Sequence, residues 1–172
     1  MLSTQFETKD SLIKDILDAP LGHVITVLGN YLNCKIKLDL IEQNASKPGS
    51  EFERKITITA NNLPLIKAVI KFDKKTLPKH IISQLLQKRN LVGTILSLND
   101  IPNKKDIISL VKEKKKINRV YQIKYDQITL FEISEEIRLD YIDVIQKEFE
   151  IKDNISDEKF QSFCWETMGQ GW

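Results

Sequence analysis

The hydrophobic period changes from about four to two at Cys34, and this change constrains the fold more than any other feature of the chain. Ile36, Leu38 and Leu40 alternate with Lys35, Lys37 and Asp39, giving an extended segment one apolar and one charged face. The alternation returns at residues 52–60, where Ile56 and Ile58 share parity with Arg54. Asn61-Asn62 then turns the chain into the apolar residues 65–72, so 52–72 reads as a β-hairpin. Strands at 120–125 and 128–133, joined by Asp126-Gln127, form a second one.

Helical periods surround these hairpins. Residues 10–33 carry Leu12, Ile16 and Leu17, then Val24, Leu28 and Leu32, interrupted by Pro20 and Gly22. A helix is expected from Thr76 to about Arg89, followed by a short apolar segment around Gly93. Residues 105–116 read as a polar helix or strand, and 139–149 and 156–166 as helices. The segment 44–50 (NASKPGS) is the clearest loop. With 172 residues, 41% of them hydrophobic, the chain has material for one sizeable core and too little for two. The expected architecture is α+β, an antiparallel sheet flanked by helices. Its main domain spans residues 1–138, and 139–172 form a helical extension packed on the same domain.

Composition narrows the function. Twenty-six basic against 24 acidic side chains leave a formal charge of +2, which argues against a nucleic-acid binder. Cys34 and Cys164 have no companions at metal-ligand spacing and are too few for a disulfide framework. The lone histidines, His23 and His80, suggest neither a metal nor a triad, and the lysine-rich run 112–116 reads as a solvated face. No apolar run reaches 18 residues and no secretory leader is apparent, so membrane insertion is not expected. Phosphate-binding, zinc-protease and serine-hydrolase motifs are absent. Roughly a quarter of the residues are Ile or Lys, a bias of AT-rich genomes that points to a plastid stroma, or alternatively to a cytoplasm.

Two charged residues interrupt apolar strand faces. Arg54 shares parity with Ile56 and Ile58, and Glu132 shares parity with Ile128 and Leu130, so both are expected to face the buried side. A buried guanidinium needs an anion or several acceptors. Either the two form an internal ion pair, or they line a closed pocket in which the arginine clamps a carboxylate and Glu132 meets a hydroxyl.

The stretch from Arg54 to Ala68, RKITITANNLPLIKA, resembles the central hairpin of the chorismate lyase family. Residues 90–96, NLVGTIL, resemble that family's Leu-Gly segment, and 129–133, TLFEI, its last strand with one glutamate. The likeness lies in the collinear order of these segments over residues 20–138. It implies an antiparallel sheet with a small internal site, and conversion of chorismate to 4-hydroxybenzoate and pyruvate without metal or organic cofactor. By the same resemblance Arg54 matches the arginine that holds the ring carboxylate, and Glu132 the glutamate that bonds the ring hydroxyl. Val24 and Val92 match pocket-lining positions, with Gly93 allowing close backbone approach beside Val92. These five residues are the candidate substrate site, with Arg54 and Glu132 as its catalytic pair.

The chain departs from the family at residues 22–26, where Gly-His-Val-Ile-Thr replaces a Gly-Ser-x-Thr-Arg pattern. That loss of polar groups suits a second reading: a non-catalytic domain binding an aromatic or cyclohexadiene carboxylate, as in the effector-binding domains of transcription regulators. A third reading, an assembly factor, would use the aromatic residues of 139–172, including Phe163, Trp165 and Trp172.

Overall fold

The structure is a computed structural model that describes residues 2–45 and 51–154. The expected helix at 156–166, with Phe163 and Trp165, and Trp172 beyond it lie outside the described residues, as does most of the expected loop at 44–50.

The architecture is α+β. Two helices, α1 (Leu2–Asp18) and α2 (Val24–Leu32), precede three strands, β1 (Ile36–Ala45), β2 (Glu51–Ala60) and β3 (Leu63–Asp73). Short helices α3 (Lys79–Leu86) and α4 (Val92–Leu98) follow, then β4 (Lys104–Lys112), β5 (Lys116–Tyr125) and β6 (Ile128–Arg138), and finally α5 (Leu139–Asn154). The strands form one sheet in the order β1-β2-β3-β6-β5-β4, with every neighbouring pair antiparallel. Of residues 105–116, open between helix and strand in the sequence, 105–112 belong to the edge strand β4 and Lys116 opens β5.

Both hairpin turns follow from their residues. Asn61 and Asn62 have φ of 50° and 66°, and Asp126 and Gln127 have 48° and 67°. Positive φ at both central positions matches the right-handed twist of paired strands, and Asn and Asp tolerate it better than most residues. A one-residue register shift sits beside each turn. Ile58 pairs Ile66 while Thr59 pairs Pro64, and Ile123 pairs Phe131 while Lys124 pairs Thr129. Each leaves one extra residue, Leu65 and Leu130, so that Leu65-Ile66 and Leu130-Phe131 are consecutive buried pairs. Pro64, lacking an N–H, stands beside the first bulge, where ladder pairing is already broken.

The inner face of the sheet carries two hydrophobic clusters. One joins Ile70, Phe72, Ile123, Phe131 and Ile133 to Ile81 and Leu85 of α3 and Ile95 and Leu96 of α4. The other joins Ile58, Ile66, Ile117 and Ile137 to Leu12 and Ile16 of α1, Leu28 of α2, and Ile142 and Ile145 of α5. The opposite face is polar and exposed at Lys55, Lys67 and Ser134. Helices therefore cover one face in two groups. The linker between α1 and α2 meets the start of α4 at the seam between them.

Candidate functional site

Two arginines sit on the inner face, and each reaches the C-terminal end of a helix. Arg54 is 1% exposed; its Nε donates to Gln43 Oε1 at 2.8 Å, Nη2 to the Leu85 carbonyl at 2.8 Å and Nη1 to the Asn90 carbonyl at 2.7 Å. Gln43 faces Arg54 because β1 shifts register between Leu40 and Glu42, and its Nε2 donates to the same Leu85 carbonyl at 3.1 Å. The guanidinium thus satisfies the last turn of α3 and fastens the connection to α4. Burial lowers its pKa from the usual value, and the ring of acceptors compensates for the lost hydration.

Arg119, 2% exposed, plays the corresponding part on β5. Its Nη1 donates to the Leu17 carbonyl in the last turn of α1 at 3.0 Å, and its Nε to Glu135 Oε2 at 2.6 Å. The other Glu135 oxygen accepts the Tyr121 hydroxyl at 2.6 Å. Nη2 of Arg119 is buried and has no hydrogen-bond partner. Register explains the grouping: Arg119 pairs Glu135, and Tyr121 pairs Ile133 one inward position along the strands.

Next to this group lies a cavity of about 50 Å³ at the seam of the two helix groups. Its roof is the linker Ala19 to Gly22, Val24, and the start of α4 at Val92 and Gly93; its floor includes Ile56, Ala68 and Ile70. Lys105, Tyr121 and Glu135 supply the polar wall. Gly93 is required for the closure, because a Cβ there would lie 2.4 Å from the Leu21 carbonyl carbon and 2.5 Å from the Gly22 nitrogen. Gly22 in turn adopts φ of +88°, a conformation that glycine enters without strain.

Lys105 brings a second cation to the wall. Its Nζ donates to the Ala19 carbonyl at 3.2 Å and stands 4.6 Å from the Tyr121 ring centroid, with the Arg119 guanidinium 4.7 Å from that same centroid. Burial, and then Arg119, push the Lys105 ammonium down to about 8, while Glu135 and Asp18 pull the other way. Burial raises the Tyr121 hydroxyl far above its ordinary range, and Glu135 reinforces the shift. Lys105 and Arg119 face Glu135, which is already bonded to Arg119 and Tyr121, and Lys105 also faces Asp18, with which it forms no salt bridge.

Of the five residues singled out in the sequence, Val24, Val92 and Gly93 meet at this cavity. Arg54 and Glu132 do not line it. Nor do they face each other: Arg54 pairs Ile70, which pairs Ile133, so Glu132, the neighbour of Ile133, points to the opposite face. There it pairs Lys71 and accepts from Gln122 Nε2 at 3.4 Å. The parity that placed Glu132 beside Ile128 and Leu130 on the buried side is corrected by the bulge at Leu130, which reverses the alternation. Glu135 is the inward carboxylate of β6. Lys105, Arg119, Tyr121 and Glu135 were not singled out in the sequence, although Arg119 carried a signal equal to that of Arg54. It alternates with Ile117, Tyr121 and Ile123 on one strand face.

Among the described residues, no cluster of histidine, cysteine and carboxylate side chains is arranged to hold a metal ion, and no helix is long and apolar enough to cross a membrane. No protein-family model matches the chain, and no curated protein matches it. Among solved structures, the chain is similar to PhnF from Mycobacterium smegmatis, at a TM-score of 0.45 and 11% identity over 79% of this chain and 83% of that one. It is also similar to the ligand-binding domain of a protein assigned to the GntR family of transcriptional regulators from Bordetella bronchiseptica. That match has a TM-score of 0.39 and 9% identity over 60% of this chain and 82% of that one.

Proposed function

We propose that this chain is a small-molecule-binding domain that takes a small carboxylic acid, of the aromatic or cyclohexadiene class, into the cavity between the α1–α2 linker, α4 and the sheet. The observation that carries this reading is the convergence, at one place, of an apolar lining and an amine that forms no salt bridge among the described residues. Val24, Val92, Ile56 and Ile70 supply the walls, and Lys105 supplies a cation with no carboxylate of its own. An anion entering there would meet an ammonium that no salt bridge holds. At about 50 Å³ the cavity holds about three to five waters, so a ring-sized acid requires the 19–22 linker to move outward.

Binding is favoured over elimination of pyruvate from chorismate because the pair assigned to that chemistry does not share the cavity. Arg54 has all three nitrogens engaged by Gln43, Leu85 and Asn90, and Glu132 faces the other side of the sheet. Calorimetric titration with 4-hydroxybenzoate, beside incubation with chorismate followed by chromatography, separates the two. Saturable binding without turnover supports the binding domain. Turnover retained in Lys105→Met but lost in Arg54→Ala and Glu132→Ala would restore the lyase.

A further inference from the structure

Lys105 is the one cavity-lining amine, and its surroundings are those of a reactive lysine rather than a surface charge. Its Nζ stands over the Tyr121 ring, donates to the Ala19 carbonyl and forms no salt bridge among the described residues. Facing it are Arg119 and Tyr121 from β5, Glu135 from β6 and Asp18 at the end of α1. Of the two carboxylates, Glu135 is held by Arg119 and Tyr121. A neighbouring cation and an apolar cavity both favour the neutral amine, which is the nucleophilic form.

We infer that Lys105 forms an imine with a small 2-oxo acid bound in the cavity, the carbonyl carbon meeting Nζ and the acid's carboxylate answering the positive charge of the protonated imine. This rests on the reading above that the cavity takes a small acid, and replaces the ring of that reading with a short acid bearing a carbonyl next to the carboxylate. The small volume also suits such an acid better than a ring. The neutral amine attacks the carbonyl carbon, the C=O π pair moves to oxygen, and a carbinolamine forms. Carbon–oxygen cleavage then gives the C=N bond, with both amine hydrogens leaving on the carbonyl oxygen as one water. Nothing is oxidised or reduced. At neutral pH, lowering the ammonium from 10.5 to about 8 raises the neutral fraction on the order of a few hundredfold. The protonated imine keeps the positive charge, so the carboxylate retains its counter-charge after the bond forms.

The test is reductive trapping. The full chain is incubated with pyruvate or glyoxylate and cyanoborohydride, and modified lysines are located by peptide mass mapping. The expected result is labelling of Lys105 at least tenfold faster than the average exposed lysine, rising as pH passes 8 and absent from that peptide in Lys105→Arg. Labelling spread over exposed lysines, with Lys105 no faster than they are, overturns the inference. A parallel titration with lactate, which has the carboxylate but no carbonyl, separates the two levels. Lactate binding without Lys105 trapping overturns the imine and leaves acid binding standing, whereas neither binding nor trapping overturns both.

Discussion

Arg54 on β2 and Arg119 on β5 make the same connection at two places: each donates from the inner face of the sheet to a last-turn helix carbonyl, Leu85 at 2.8 Å and Leu17 at 3.0 Å. Neither is an isolated buried charge. The partial negative charge of a helix C-terminus and its unpaired carbonyls supply the acceptors that such a guanidinium needs. The two contacts also set the seam between the helix groups, because one fixes the end of α3 before α4 and the other the end of α1 before α2.

Replacing Arg54 by Met keeps much of the side-chain volume but leaves the Asn90 carbonyl and Gln43 Oε1 without their donor. The expected loss is about 2–4 kcal/mol in denaturant unfolding, with Tm lower by roughly 6–12 °C. A loss below about 0.5 kcal/mol, the range of ordinary surface substitutions, would mean that these acceptors are not held by Arg54.

Arg119 and Glu135 form the buried ion pair of the site, with Nε 2.6 Å from Oε2. Arg119→Met should destabilise by about 3–5 kcal/mol, because Glu135 is left charged and dry. Adding Glu135→Leu should recover part of that loss, so the double variant is more stable than the sum of the two single losses implies. Strict additivity in the cycle would show that the pair is not coupled.

Stability should follow pH through Lys105 and Tyr121. The folded-state pKa of Lys105, about 8, lies below its ordinary 10.5, so between these values the unfolded chain binds more protons and stability rises with pH. Tyr121 is shifted the other way, so above its ordinary value of 10 the unfolded chain loses a proton that the folded chain keeps, and its contribution falls. Unfolding free energies measured from pH 7 to 11 should rise from about pH 8 toward 10 and turn over above it. The rise should vanish in Lys105→Met and the downturn should weaken in Tyr121→Phe.

Gly93→Ala places a methyl carbon against main-chain atoms of Leu21 and Gly22 that have no flexible end to yield. The linker must move, at a cost of about 1–3 kcal/mol typical of overpacking. Ligand affinity should fall together with stability, since the same linker roofs the cavity. Unchanged stability and affinity would contradict the close approach of α4 to the linker.

The alternation at 36–40 and 52–60, and the Asn-Asn and Asp-Gln turns, made the antiparallel sheet legible, because period and turn chemistry are local. The break at Pro20 and Gly22 separated α1 from α2 for the same reason. The face of Glu132 was not legible. One extra residue at Leu130 inverts every side chain beyond it, and nothing in TLFEI announces a bulge. The arginines were half legible: parity shows that Arg54 and Arg119 point inward, but their acceptors lie on helices distant in sequence. Lys105 was hidden because its strand, β4, is mostly exposed and its apolar and charged residues do not alternate.

Binding of a small acid through Lys105 is measured by calorimetric titration of 4-hydroxybenzoate and pyruvate into the wild-type chain and Lys105→Met near pH 7. Saturable one-to-one binding of at least one of these acids is expected, weakened tenfold or more by the substitution, with Lys105→Arg retaining most of it. Equal affinity in wild type and Lys105→Met, or no saturable binding of either acid, would contradict it.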